Sequence, residues 1–295
     1  MKSAVKSPAS AVRPRLLIVG SRSYIGAACY QALQGTFDIR LTNRDGSNGA
    51  APLNLLQPDD FAYSSLGPRD TILFCAAISS PDVCGSNPAM ARQVNVTGPT
   101  LFLRRALGQG ARAIFLSSDT VVGPTAGFAD ETVVPKPHGH YASFKKELED
   151  ILLAESATKI LRLSLVISLQ DKFTAYLQQC LHEGKTPALL HPIYRNGVHV
   201  SDVVALVRNL TLDWDCHPAR LIHVAGPRCL SRIGLAEQLF ECIGYSGPYT
   251  VEKPAEAFYN QRPERIALQS LHLKKILGRE PISIATGYRM ELKNT

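Results

Sequence analysis

The stretch RLLIVGSRSYIGAACYQAL, residues 15–33, constrains this chain more than any other. Five residues rich in aliphatic side chains run without polar alternation, as in a strand covered on both faces. Gly20 ends the run and permits a tight turn, and Gly26 opens a segment with helical spacing and lets it pack closely on the strand. A strand, a short glycine loop and a helix N-terminus together form an anion-binding corner suited to a pyrophosphate. Ser23 stands where the three-residue spacing expects another glycine, and its side chain either crowds the phosphates or hydrogen-bonds to them. Tyr24 and Ile25, beside Gly26, belong to the same expected cofactor-binding loop. A plain strand–helix turn is the simpler alternative, and the position after the first strand favours the nucleotide reading.

The pattern then repeats. Strands are expected at DIRLT (38–42), TILFCAA (71–77), ARAIFLSS (111–118), KILRLSLVIS (159–168) and LIHVAG (221–226). Amphipathic segments such as YASFKKELEDILLAE separate them, and AMARQVNVTGPTLFLRRAL is expected to be a helix bent near Gly98–Pro99. Strand–helix alternation of this kind specifies an α/β protein with a Rossmann-type, doubly wound parallel sheet. The expected organisation is a disordered basic leader over 1–14, a dinucleotide-binding domain over 15–168 and a smaller substrate-binding portion over 169–295. That last portion is expected to interleave with the sheet at residues 198–226.

Composition narrows the class. The chain has 295 residues, enough to bury a core without disulfides or metals. No apolar run approaches the ~20 residues of a membrane span, so no membrane partner is expected. The net charge of +7 comes partly from the tail MKSAVKSPASAVRPR, which lacks the apolar segment of a signal peptide. The remaining Lys and Arg are scattered, which suits anionic small molecules better than nucleic acid. Seven cysteines, an odd count with no C-x-x-C, argue for reduced thiols and a cytoplasmic location. The histidines lack metal-ligand spacing; no metal is expected, and His138-Gly-His140 reads as a loop before a helix.

The second strand ends LTNRDG, with no acid at its tip to take the ribose hydroxyls of NAD. Arg22 in the glycine loop and Arg44 after that strand suit a 2′-phosphate, which favours NADP and leaves NAD open. Ala76 and Ala77, at the end of TILFCAA, complete the expected cofactor set. The chemistry is expected from SSDTVVG (117–123) and YASFK (141–145). Tyr141 and Lys145 lie one helical turn apart, on one face. The expectation is that Ser118 hydrogen-bonds a substrate carbonyl, Tyr141 gives it a proton, and Lys145 lowers the Tyr141 pKa and holds the nicotinamide ribose. Alone, Y-x-x-x-K marks many helix faces; the serine stretch and the glycine loop are what give it meaning.

These segments resemble the extended short-chain dehydrogenases/reductases, and among them dTDP-4-dehydrorhamnose reductase and related sugar-nucleotide reductases. The likeness runs from Arg15 to about Met290 through FCAAISSPDVCGSNP, QVNVTG, SSDTVVG, RNGVHVSDVV, HVAGPRCLSRIGLAEQL and RPERIALQSLHLKKILG. It implies substrate-site roles for Ser79 and Asp119, and a backbone- and water-holding role for Asn95. It also implies a diphosphate clamp made of Arg195 and Arg262. Thr120 stands where related dehydratases carry a catalytic Glu, which argues against dehydration. Val122 replaces an aromatic residue, so a different floor to the substrate pocket is expected, and Asn54 replaces a common Asp. The implied activity is NADPH-dependent reduction of a 4-keto-6-deoxy nucleotide sugar. Two alternatives stand beside it: an epimerase on the same fold, and an NADP-binding regulatory subunit like that of methionine adenosyltransferase. A homodimer is left open.

Overall fold

A computed structural model describes Arg13–Lys293; the expected leader falls almost wholly outside the described residues. Seven strands build the main sheet: β1 (Arg15–Val19), β2 (Asp38–Asn43), β3 (Ala51–Pro52), β4 (Asp70–Phe74), β5 (Arg112–Ser118), β6 (Thr158–Leu163) and β7 (Leu221–Val224). Their order is β7-β6-β5-β4-β1-β2-β3, and every pair is parallel. The chain therefore winds outward from β1 in both directions, and the crevice between β1 and β4 is a topological switch point.

The aliphatic strands follow from this burial on two faces. Leu16 and Ile18 pack on one side with Cys29 and Leu33 of α1 (Tyr24–Leu33). Leu17 and Val19 pack on the other with Phe102, Leu103 and Ala106. Those three belong to the third labelled helix: α2 is Pro81–Ser86, α3 is Gly98–Gly108 and α4 is His140–Leu153. The bend expected near Gly98–Pro99 is a wide turn over Gln93–Thr97 leading into α3, with Pro99 in its first turn. A Cβ on Gly98 would collide with the Leu55 carbonyl oxygen, so only glycine fits that crossing.

The later helices are α5 (Lys172–His182), α6 (Val200–Leu212), α7 (Arg232–Ile243) and α8 (Ile284–Leu292). α6 joins the α1 face of the sheet through Val203, Leu206 and Val207, and β7 extends the sheet beyond β6. The rest of the later chain closes its own core around Leu177, Leu189, Leu239 and Tyr288. KILRLSLVIS is not one strand. β6 stops at Leu163, and Val166–Ile167 pairs separately with Val198–His199. Ser164 N–H still reaches the Val224 carbonyl, whereas the Leu165 carbonyl accepts from Val198, so the backbone changes partners at the sheet's carboxyl end. No described helix is long and apolar enough to cross a membrane.

Candidate active site

At the switch point a groove of about 560 Å³ is lined by Gly20, Arg22, Ser23, Arg44, Ala76 and Ala77, with no carboxylate among its lining residues. Gly20 has φ +85°, and a Cβ there would lie 2.9 Å from the Ala76 Cα. A Cβ on Gly26 would come within 2.7 Å of the Gly20 carbonyl oxygen. Both glycines keep the loop tight against the strand ends. Ser23 caps α1, its Oγ accepting from Gly26 N–H at 3.1 Å. The serine is therefore turned into the loop, where it replaces a missing glycine with a helix cap.

The two groove arginines differ. Arg22 donates to Asp45 at 3.0 Å and also to Ser47. The acid missing from the tip of the second strand thus lies two residues beyond it and folds back on Arg22. Arg44 makes no hydrogen bond or ion pair among the described residues and is exposed. A 2′-phosphate would meet Arg44 as a free cation and would compete with Asp45 for Arg22. Arg44→Ala is therefore expected to lower the preference for NADPH over NADH about tenfold, and Arg22→Ala by less. Calorimetric titration of both cofactors checks the order of the two effects.

Beside the groove a cleft of about 280 Å³ brings Ser118, Tyr141 and Lys145 together with Ile25, Cys75 and Ala77. It shares Ser23, Cys75 and Ala77 with the groove. β5 alternates faces, so Ser117 and Ser118 part company. Both reach the cleft wall, but Ser117 Oγ donates to the buried Glu149 at 2.6 Å, while Ser118 Oγ accepts from Thr120 Oγ1 at 2.9 Å. Tyr141, Lys145 and Glu149 are spaced by four and share a face of α4. Beneath them Glu149 is fully buried against Arg162, which donates from Nε at 3.0 Å and from Nη2 at 2.7 Å. Arg162 also approaches His223 Nε2 at 3.4 Å. Asn95 clamps the loop after β4: its Oδ1 accepts from Ile78 N–H at 2.8 Å and its Nδ2 donates to the Ile78 carbonyl at 3.0 Å.

The electrostatics reverse one expectation. Lys145 does not bring the Tyr141 pKa down overall, because burial outweighs the cation. Burial first, and then the charges of Asp119 and Cys84, push the Tyr141 phenol well above its ordinary value of 10.0. Lys145 Nζ donates to the Leu116 carbonyl at 2.8 Å and sits 4.5 Å over the Phe115 ring, against 5.8 Å to the centre of the Tyr141 ring. Its own pKa drops to about 8, chiefly through burial. The phenol is held protonated, and the ammonium titrates at about pH 8.

A third cavity, of about 830 Å³, lies beyond Tyr24, Ser79 and Val166, which it shares with the cleft. Arg262 lines it, paired to Asp82 at 2.8 and 2.6 Å. Arg195 does not line it. Its guanidinium donates to the carbonyls of Tyr194 at 2.6 Å, Pro263 at 2.8 Å and Glu264 at 3.2 Å, and its Nε lies 3.5 Å from Asp119. Asp119 is likewise absent from the cavity walls. It is buried, accepts from Ser164 Oγ at 3.1 Å, and burial pushes its pKa up. Val122 forms no pocket floor, being packed against Ala225, Ile266 and Leu268. Sequence reasoning missed Arg232, which lines the large cavity, and the Glu149–Arg162 pair. An arginine inside the apolar strand ILRL was the available sign of the latter.

A switch-point groove, a Tyr/Lys cleft and a flanking cavity define a Rossmann-type protein with the short-chain dehydrogenase/reductase plan. The chain belongs to the RmlD substrate binding domain family, which it matches over residues 14–294. Among curated proteins it is 27% identical to methionine adenosyltransferase 2 subunit beta of Mus musculus over 206 residues, 66% of this chain and 61% of that protein's length. It is also 27% identical to dTDP-4-dehydrorhamnose reductase of Mycobacterium tuberculosis (strain CDC 1551 / Oshkosh) over 272 residues, 87% of this chain and 84% of that protein. Among solved structures it is similar to the dTDP-4-dehydrorhamnose reductase of Bacillus anthracis in complex with NADP, with TM-score 0.82 and 18% identity. That match covers 97% of this chain and 100% of the other.

Proposed function

We propose that this chain is an NADPH-dependent reductase of a 4-keto-6-deoxy nucleotide sugar, with NADP as its cofactor and Tyr141 as proton donor. The observation that carries the reading is the position of the Ser118–Tyr141–Lys145 cleft. It is continuous with the glycine-loop groove on one side and with the large cavity on the other. The groove fits the cofactor: Gly20 and Gly26 leave room for backbone approach, and Arg44 offers a free guanidinium with no carboxylate on the walls. Support also comes from the mycobacterial relative, a dTDP-4-dehydrorhamnose reductase.

Gly20, Gly26 and Arg44 would hold NADPH, which would supply the hydride. Ser118 Oγ orients the carbonyl oxygen of the sugar, and Tyr141 gives that oxygen its proton as negative charge develops there. Burial of Tyr141 keeps the phenol protonated before the step. Lys145, when charged, offsets the phenolate left behind. Ile25 and Ala77 give the cleft apolar walls beside these groups. The test is NADPH consumption, followed at the nicotinamide absorbance, with a panel of keto sugar nucleotides. An epimerase would turn over without net cofactor loss.

A regulatory reading is favoured by the similarity to methionine adenosyltransferase 2 subunit beta. It requires NADPH binding with no turnover and an effect only on a partner enzyme.

The lowered Lys145 pKa gives a pH prediction. Its folded value of about 8 lies below the ordinary 10.5, so the ammonium is present below pH 8 and is lost above it. In stability the sign is opposite: burying the charge costs most below pH 8, and that cost fades as pH rises toward 10.5. Reductase kcat/KM is expected to fall above pH 8 by up to about tenfold per unit. Lys145→Met should lower the rate overall and abolish this inflection. A flat wild-type profile from pH 7 to about 9.5 contradicts the assignment.

A further inference from the structure

Arg195 occupies the position that the family resemblance assigns to a diphosphate clamp, yet its guanidinium donates to three backbone carbonyls and its Nε lies 3.5 Å from Asp119. The neighbouring strand offers a substitute. Tyr194–Arg195 pairs antiparallel with Leu230–Ser231, Leu230 lying opposite Arg195, and Arg232 follows at once as the first residue of α7. Arg232 lines the 830 Å³ cavity together with Arg262. Its guanidinium carbon stacks 4.6 Å over the Phe173 ring, and its side chain makes no hydrogen bond or ion pair among the described residues. The cavity's Asp171 does not neutralise it by contact, because its carboxylate caps α5, accepting from Phe173 N–H at 2.8 Å and Thr174 Oγ1 at 2.6 Å. Glu252 also lines the cavity but is exposed.

A guanidinium fixed on an aromatic ring, with five donors free and facing a cavity of substrate size, is a built receptor for a phosphate-bearing ligand. Burial lowers the Arg232 pKa and the like charge of Arg195 lowers it further, while the charge of Asp171 partly offsets both. Arg262 and the exposed Lys172 are the other cations on these walls, Arg262 being held by Asp82 until a stronger anion replaces that carboxylate.

We propose that Arg232, rather than Arg195, grips the diphosphate of the nucleotide sugar, with Arg262 as its partner, and that Arg195 is a structural tie between the strand Tyr194–Arg195 and the loop at Pro263–Glu264. The proposal rests on the nucleotide-sugar reading above. It assigns substrate affinity to the first turn of α7, a place that the position of the sequence motif does not indicate.

The test is calorimetric titration of UDP, dTDP and inorganic pyrophosphate into the full chain saturated with NADP, so that the groove is filled. The wild type should bind a nucleoside diphosphate. Arg232→Gln should weaken that binding about 30-fold, roughly 2 kcal/mol at 1.4 kcal/mol per tenfold, while NADP affinity stays unchanged. Arg232→Lys, which keeps a point charge but loses the fork, should fall between the two. Arg195→Gln should melt at a lower temperature and bind within about threefold of wild type. If that variant does not fold, the Arg232 arms decide alone. A wild type that binds no nucleoside diphosphate removes the nucleotide-sugar reading and this proposal with it. A wild type that binds, with Arg232→Gln binding equally well, overturns the Arg232 assignment and leaves the nucleotide-sugar reading standing.

Discussion

Tyr141→Phe is expected to lower kcat for NADPH oxidation by about 10²- to 10⁴-fold, the usual worth of a positioned general acid. NADPH affinity and fold should be preserved, since the ring remains and the Tyr141 oxygen has no hydrogen bond among the described residues that folding would miss. The loss is large because few other groups can do the work. Ser118 Oγ is shared with Thr120 and Asp119. Lys145 Nζ is directed at the Leu116 carbonyl. Cys75 lines the cleft, but burial raises its thiol pKa well above the ordinary value. Stopped-flow absorbance separates the chemical step from cofactor binding. A Phe variant with wild-type turnover would show that the proton comes from elsewhere.

Arg162→Met is expected to destabilise the chain by about 3–5 kcal/mol, because it strands Glu149 as an unpaired buried carboxylate. Arg162 is 2% exposed and Glu149 0%. Glu149 also accepts from Ser117 Oγ, so the pair ties β5, β6 and α4 together directly below Lys145. The double change Arg162→Met with Glu149→Leu should recover much of the loss, because it removes the orphaned charge as well as the pair. Urea denaturation measures both. A single-variant cost under about 1 kcal/mol would mean that the buried charge finds another partner or neutralises freely.

Much of the fold could be read from residues 15–33 and the aliphatic runs that follow. A strand buried on both faces has no polar alternation, and RLLIV, TILF and AIFL each show that feature. The Tyr141–Lys145 spacing was equally visible, because a helical repeat is local. What was hidden depended on contacts distant in sequence. The end of β6 at Leu163 is set by Val198 taking the Leu165 carbonyl. The sequence presents Arg195 and Arg232 as two similar arginines at strand and helix ends. Only the register that places Leu230 opposite Arg195, and the carbonyls of Pro263 and Glu264 around it, show which one is tied down. The direction of the Tyr141 pKa is hidden for the same reason. Sequence shows the cation beside the phenol, but not that burial outweighs it. Arg22 looked free until Asp45 folded back on it.

The account depends on one cleft serving two ligands at once. Its most direct test uses NADPH deuterated at the transferable C4 position, incubated with 4-keto-6-deoxy nucleotide sugars, with the sugar product read by mass spectrometry. The expected result is one deuterium on the reduced carbon and stoichiometric oxidation of the cofactor, both abolished by Tyr141→Phe. Tight NADPH binding with no deuterium reaching any sugar of the panel would contradict it.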